Sequence, residues 1–187
     1  MRIKMSLLSD TIFGNGNSIP GEEDIAVLTD EYGFPYYKGG TFKGVFREEL
    51  EHFLDLTGDE NGNKKIERLL GVNGNNDFTG QLFFSDLKLS PAVRAKVLEE
   101  TGRSAFSDVR DSFTNLRTFT AIDENGVVKN GSLRLARCVD KGLVFYGEID
   151  NVSDEDSQLI MDVLGMIKWI GTLRNRGFGK VKIERED

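Results

Sequence analysis

Strand-like and helix-like segments interleave along this chain in the order strand, helix, strand, insertion, hairpin, helix, strand, which predicts an α+β fold. Two further observations support it. The 187 residues, 39% hydrophobic and 29% charged, suit a single domain over 1–187 with one sizeable core. Glycine is abundant at 21 while proline stands at 3, so the connections need positive φ or close backbone approach at several places.

The first segment, Arg2 to Leu8, reads as a strand with Ile3, Met5 and Leu7 on one face. Thr11 to Lys38 follows as a long polar loop, a length that inside a compact domain is usually functional. Phe42, Val45, Phe46, Leu50, Phe53 and Leu54 then fall at helical spacing and predict one buried stripe, ended by Gly58. A brief second helix runs from about Lys64 to Leu70 and stops at Gly71. GQLFFSDLKL, residues 80–89, reads as one strand. Ser90 and Pro91 open a helix to about Glu100, closed by Gly102. Residues 103–130 are polar with scattered phenylalanines and predict an irregular arm or extended hairpin. GSLRLARCV and GLVFYGEI predict a tight β-hairpin about Asp140, Lys141 and Gly142. Ser153 and Asp156 form a capping box for a helix that turns Leu159, Ile160, Val163, Leu164, Ile167 and Ile170 inward. GKVKIE is the last strand. Stripped of insertions, the series is a ferredoxin-like (RRM-like) βαββαβ core, carrying a long N-terminal loop and an arm or thumb over 103–130.

Lys+Arg 24 against Asp+Glu 31 gives a formal charge of -7, which argues against partners held by overall charge, nucleic acid included. That average hides a gradient. Residues 168–185 hold six basic side chains against Glu184 alone, and acidic residues gather at Glu22 to Glu31, Glu48 to Glu60 and Asp150 to Asp156. A single cysteine excludes a disulfide framework and a CxxC zinc site and fits a reducing cytoplasm. A single histidine excludes two-histidine mechanisms. No apolar run approaches the roughly 18 residues of a membrane span, and the N-terminal apolar stretch is too short for a signal peptide.

GTLRNRGFGK, residues 171–180, is the strongest local signal. A dinucleotide fingerprint runs from strand through glycines into helix, and here a helix runs through glycines into a strand. No Gly-Lys-Ser/Thr closes a P-loop either. Two readings remain: an ordinary glycine-capped helix end, or a turn whose free N–H groups, with Arg174, Arg176 and Lys180, receive phosphate. Lys38-Gly39-Gly40-Thr41-Phe42-Lys43-Gly44 opens the first long helix in the same manner, as ordinary capping or as an anion site at a helix N-terminus.

Together, GFPYYKGGTFKGVFRE and IGTLRNRGFGKV resemble the two signature motifs of the RAMP superfamily of CRISPR proteins, with ERLLGV…TGQLFFSDLKL (67–89) between them resembling its Leu-Phe-Gly and Phe-x-Asp segments. Lys38-Gly39 stands where the family has Pro-Gly, and Gly40-Thr41 where it has Ser-Ser. The nearest form is the repeated backbone subunit of type III effector complexes. The resemblance implies a guide RNA and a complementary target RNA as ligands, and copies or paralogues of the chain as neighbours along the guide. It implies RNA contacts through Lys38, Gly39, Lys43, Arg47, Gly171, Arg174, Arg176, Gly177, Gly179 and Lys180, and a thumb-like arm whose Arg110, Phe113, Arg117 and Phe119 meet phosphates and bases. Gly21-Glu22-Glu23-Asp24-Ile25-Ala26-Val27 matches the loop that carries the cleaving aspartate, which makes Asp24 the implied catalytic residue and ligand of Mg2+ or another divalent cation. Glu23 and Asp10 are the substitutes. A non-cleaving subunit with the same fold is the alternative. A stand-alone RNA-recognition domain needs two aromatics on one sheet face, and Phe83 and Phe84 alternate.

Other features carry no chemistry. His52, beside Glu51 and a turn from Glu48, reads as a surface histidine, Cys138 as a small apolar strand residue, and Trp169 as core or interface. DENGN, 59–63, lacks the glycine and closing glutamate of a calcium loop.

Overall fold

A computed structural model of the chain describes residues 1–14, 16–18, 23–72, 80–101, 105–129 and 131–186. Alternation sets the central strand. In β1 (Arg2–Leu7), Ile3, Met5 and Leu7 are buried while Arg2, Lys4 and Ser6 face outward. β1 lies between β7 (Val144–Asp150) and β8 (Val181–Arg185), antiparallel to both. β4 (Leu87–Leu89) and then β2 (Tyr36–Tyr37) extend the β7 side, giving the order β2-β4-β7-β1-β8, and β3 (Phe83–Phe84) also pairs with β7. The result is a mixed fold of helices on antiparallel sheets, consistent with ferredoxin-like architectures.

Helices α1 (Gly39–Thr57) and α5 (Asp154–Met166) cover the inner face. Phe42, Phe46 and Leu50 of α1 join Ile160, Val163 and Leu164 of α5 and Ile3, Met5, Phe145 and Val181 of the sheet in one core. Ser153 caps α5 as its spacing predicts, its hydroxyl accepting the Asp156 N–H at 3.2 Å. α2 (Gly62–Leu70) lies against α1 and is clasped to α5 by a two-pronged pair, Arg68 to Asp156 at 2.6 and 2.9 Å. The outer sheet face carries cross-strand charges, Arg2 to Glu148 at 3.3 Å and Lys4 to Glu184 at 4.0 Å, beside Tyr36 and Tyr146, with the Lys88 ammonium 5.9 Å from the Tyr36 ring centre.

The structure departs from the sequence reading in four places. Residues 80–89 form two strands, because Ser85 and Asp86 interrupt the alternation and let Leu82, Phe84, Leu87 and Leu89 all face the core. The predicted hairpin of GSLRLARCV with GLVFYGEI does not form. β7 has one edge on β1 and the other on β3 and β4, so β6 (Arg134–Val139) pairs instead with β5 (Thr114–Phe119). The Asp140–Gly142 turn bonds outward to Phe113, Asp10 and Leu7. The stretch predicted as an irregular arm contains helix α4 (Phe106–Ser112) and strand β5, so the projecting element is the β5–β6 ribbon with its exposed tip at Ile122, Val127 and Val128. The N-terminal loop, finally, is pinned: Thr11 bridges Val139 and Ile25 bridges Ala136, while Ile12, Phe13, Ala26, Val27 and Phe34 are buried. Helix α3 (Pro91–Thr101) starts on Ser90 as predicted; Gly102 and Arg103 lie outside the described residues.

Glu23 is buried and pairs with buried Arg137 at 2.5 Å, where Arg137 also reaches Asp111 and Thr114. Removing Arg137 strands the buried Glu23 charge, whereas removing Glu23 leaves Arg137 its contact with Asp111. Arg137→Ala should lower unfolding free energy by about 3 kcal/mol in urea titrations, with Glu23→Ala costing less. The Asp156 carboxyl is held below the usual carboxylate range, chiefly by the Arg68 guanidinium and against the effect of its own burial. A depressed native value stabilises the fold above the unfolded carboxylate range, near 3.9, and that gain disappears as pH falls through the native value. Asp156→Asn should therefore flatten the acid limb of the stability–pH curve and cost most near neutrality.

Candidate nucleic-acid interface

Tyr37, just ahead of the first glycine-basic motif, lies near Gly171 of the second. Its ring is buried against Phe13 and Phe42, with the Gly171 N–H and the Arg174 and Glu48 charges in its surroundings. Burial pushes the Tyr37 phenol above its ordinary value, against the opposing pull of the Gly171 N–H and the Arg174 charge. Lys38 follows immediately and is exposed. Gly39 sits so close to β3 that a Cβ would stand 2.2 Å from the Phe84 carbonyl oxygen, and its N–H donates to Asp86 Oδ1 at 2.9 Å. The expected anion site at this helix start is thus partly filled by the protein's own Asp86. Lys43 and Arg47 share the next face of α1. Desolvation, then the Arg47 charge, lower the Lys43 ammonium below its usual value. Arg47 itself donates to the carbonyls of Leu70 and Gly71 at 3.1 and 2.8 Å, closing the end of α2.

After α5 the chain turns at Gly171, passes Leu173 at φ 57°, forms a 3-10 turn over Arg174–Arg176, and returns through Gly177 and Gly179 to β8. Gly179 has φ 83° and a Cβ there would stand 1.9 Å from the Ile170 carbonyl oxygen, so only glycine fits. Arg174, Arg176, Gly177 and Lys180 are exposed. Leu173 and Phe178 pack with Phe119 and Ile25 on a small buried cluster of Ile12, Ala136 and Cys138, which fixes the loop against the ribbon. Burial raises the Cys138 thiol to about 12, so it is inert.

Phe119 and Phe178 meet edge to face at 5.5 Å. On one side lies a groove of about 360 Å³ lined by Phe119, Lys129, Arg134 and Arg176, among others. On the other lies one of about 440 Å³ lined by Leu8, Asp10, Arg117, Lys141, Arg176 and Phe178, among others. Both include Phe119 and Arg176, so the two grooves share one aromatic ring and one cation. That pairing suits a strand with phosphates on guanidinium groups and bases on ring faces or edges.

A sequence profile of the RAMP superfamily matches residues 4–182. The chain belongs to the RAMP superfamily. A subunit of the type III-B Cmr-β complex bound to cognate target RNA is similar to this RAMP chain, with TM-score 0.71 and 14% identity over 98% of this chain and 95% of that one. A subunit of the same complex in its apo state gives TM-score 0.68 at 14% identity over the same shares. No curated protein matches the sequence.

The RAMP motif residues do not all lie together. Gly171, Arg174, Arg176, Gly177, Gly179 and Lys180 form one loop, with Arg117 and Phe119 across the grooves. Phe113, by contrast, is only 8% exposed and packs on Phe34 in the main core, 5.6 Å between ring centres. It is a core residue and presents no face to a base. Arg110 is half-buried on α4 and pairs with Asp111. Glu23 and Asp10, the substitutes for Asp24, are both held in ion pairs, with Arg137 and Arg117. Gly21 and Glu22 lie outside the described residues.

Asp24 pairs with Arg134, which lines the first groove. Its backbone lies along β6, and extended alternation sends Glu23 to Arg137 and Asp24 to Arg134. The Asp24 carboxylate accepts the Leu135 N–H at 2.8 Å and lies 3.4 Å from Arg134 Nη1, with 39% of the side chain exposed. Among the described residues no three His, Cys, Asp or Glu side chains group to hold a metal ion. The partners that the described residues give the Asp24 carboxylate are the Leu135 N–H and Arg134. Among the described residues no helix is long and apolar enough to cross a membrane. His52 is exposed and faces Glu49 rather than Glu48. Trp169 keeps 38% of its surface exposed, at the edge beside Lys180. Lys129, Arg134, Lys141 and Phe178 were missed in the sequence, although Phe178 follows directly on the glycine motif.

Gly179→Ala should destabilise the chain by about 2 kcal/mol, since positive φ and the contact with Ile170 act together. Gly177→Ala, with φ 85° but open space around it, should cost about 1 kcal/mol. Thermal melts of the two variants check the difference.

Proposed function

We propose that this chain is a guide-RNA-binding subunit of a type III effector ribonucleoprotein, working in the cytoplasm beside copies or paralogues of itself. Membership of the RAMP superfamily and the likeness to Cmr-β subunits support the class. The observation that carries it is the pair of cationic grooves sharing Arg176 and Phe119. In this reading β1, α1, β4, β7, α5 and β8 are the ferredoxin-like core and the β5–β6 ribbon is the thumb. Lys38, Lys43, Arg174, Arg176 and Lys180 hold the guide backbone. Phe119 and Phe178 separate bases of the guide–target duplex. Acidic surface on α1, at Glu48, Glu51 and Asp55, faces the basic loop of the next subunit. A double Arg174→Glu, Arg176→Glu change should weaken binding of single-stranded RNA at least about tenfold and flatten its salt dependence. Unchanged binding would sink the assignment.

Target cutting by Asp24 is the finer part of the proposal. An exposed carboxylate beside a groove-lining arginine can accept the proton of an attacking 2′-hydroxyl. Asp24→Asn should then abolish cutting of a bound target while RNA affinity stays within about twofold. Assays with magnesium and with chelator decide whether an added ion takes part. A second reading, a non-cleaving subunit, is favoured by one contact set: Leu135 N–H and Arg134 already engage both Asp24 oxygens. No cutting by the wild-type protein would support it, whereas equal cutting by both proteins would overturn the role of Asp24 alone.

A further inference from the structure

Asp10 joins the two walls of the groove that contains Arg117 and Arg176. Its carbonyl accepts the Gly179 N–H at 2.9 Å, fixing the end of the glycine loop. Its carboxylate reaches the ribbon: Oδ2 accepts Arg117 Nε at 3.2 Å, Arg117 Nη2 at 2.5 Å and Asn115 Nδ2 at 3.4 Å. Oδ1 accepts the Lys141 N–H at 3.1 Å, tying in the β6–β7 turn. One residue thus ties loop, ribbon and turn together. The exposures are unequal, 12% for the Asp10 side chain and 54% for Arg117, so the carboxylate lies inside and the guanidinium faces the groove. Asp10 engages Nε and Nη2, which leaves the Nη1 donors of the fork outside this pairing.

We propose that Asp10 is a positioning residue for RNA: it orients Arg117 so that Arg117 and Arg176 meet successive phosphates of one strand at a fixed spacing. The proposal rests on the RNA-binding reading above and adds a residue that the family motifs do not supply. Burial works to raise the Asp10 carboxyl, yet Arg117 and the Lys141 N–H hold it below the usual range, so it is a fixed anion in a cationic groove. Two physical accounts then predict opposite signs. By charge alone, removing this anion tightens RNA binding. By positioning, removing it frees Arg117 and weakens binding.

The full chain and fluorescein-labelled single-stranded RNA, followed by anisotropy at two salt concentrations, separate them. Asp10→Asn is expected to bind about tenfold more weakly than wild type, the scale of a lost charge-assisted pair of hydrogen bonds. The Asp10→Asn, Arg117→Gln double variant should bind no more weakly than Arg117→Gln alone, because Asp10 acts through Arg117. Should Asp10→Asn fold poorly by its melting curve, Arg117→Lys keeps Asp10 and the charge but loses the fork. Positioning predicts a loss near that of Arg117→Gln, and a charge-only groove predicts none. Equal or tighter binding by Asp10→Asn, multiplying losses in the double variant, or wild-type binding by Arg117→Lys would each overturn the proposal. Failure of the underlying reading shows separately, as RNA binding indifferent to the Arg174→Glu, Arg176→Glu change.

Discussion

Three segments remote in sequence depend on one small apolar cluster, Ile12, Ala136 and Cys138, for their relative placement. Ile12 comes from the loop after β1, Ala136 and Cys138 from the ribbon, and Leu173 and Phe178 close over them from the glycine loop. The central sheet supplies none of these residues, so the interface is not simply an edge of the main core. It is a second, smaller packing unit, bridged to the first by Thr11 pairing with Val139 and by the turn at Asp140. Few buried apolar side chains hold it, which places it toward the low end of local stability. Polar ties such as those of Asp10 therefore carry a larger share of its rigidity than similar contacts carry in the core.

The arginines divide accordingly. Arg47 closes α2, Arg68 clasps α5, Arg94 pairs with Asp30 at 2.6 Å over the Phe34 ring, and Arg137 neutralises buried Glu23. Each is engaged by the fold itself. Arg174, Arg176 and Lys180 project from a loop, and Lys38 from the turn before α1. A net charge of -7 averages the two sets and the acidic helical surfaces together. What matters for a phosphate ligand is which guanidinium groups retain open donors, and that follows from packing, not from the count.

Periodicity and punctuation made the two-layer core legible. β1, α1, α2, α5 and β8 each bury one regular stripe, and Gly58, Gly71 and Ser153 end or start helices where their chemistry allows. The ribbon was not legible in the same way. β6 and β7 both read as strands and are joined by a good turn, so local pattern favours pairing them, and the occupied edges of β7 forbid it. Phe113 misled for a related reason. A phenylalanine among polar residues looks exposed until α4 is seen to carry it, with Val109, into the core against Phe34. Asp10 was legible only as a substitute carboxylate and not as a tie, because its partners lie more than a hundred residues away, although Asn115, Arg117 and Phe119 at alternate positions of β5 do mark one strand face.

Leu173 shows how tightly the loop is specified. A leucine at φ 57° carries a strain of roughly 1 kcal/mol that glycine would avoid, in a segment where Gly171, Gly177 and Gly179 already take positive φ. The side chain explains its retention. It packs on the satellite cluster, while the same backbone turn sends Arg174 and Arg176 outward. Glycine there would relax the backbone and remove the anchor, leaving the arginines on a tether rather than a platform. Since a phosphate-binding pair gains most from guanidinium groups that lose little freedom on binding, a strained residue with an apolar anchor serves this position better than an unstrained one without it.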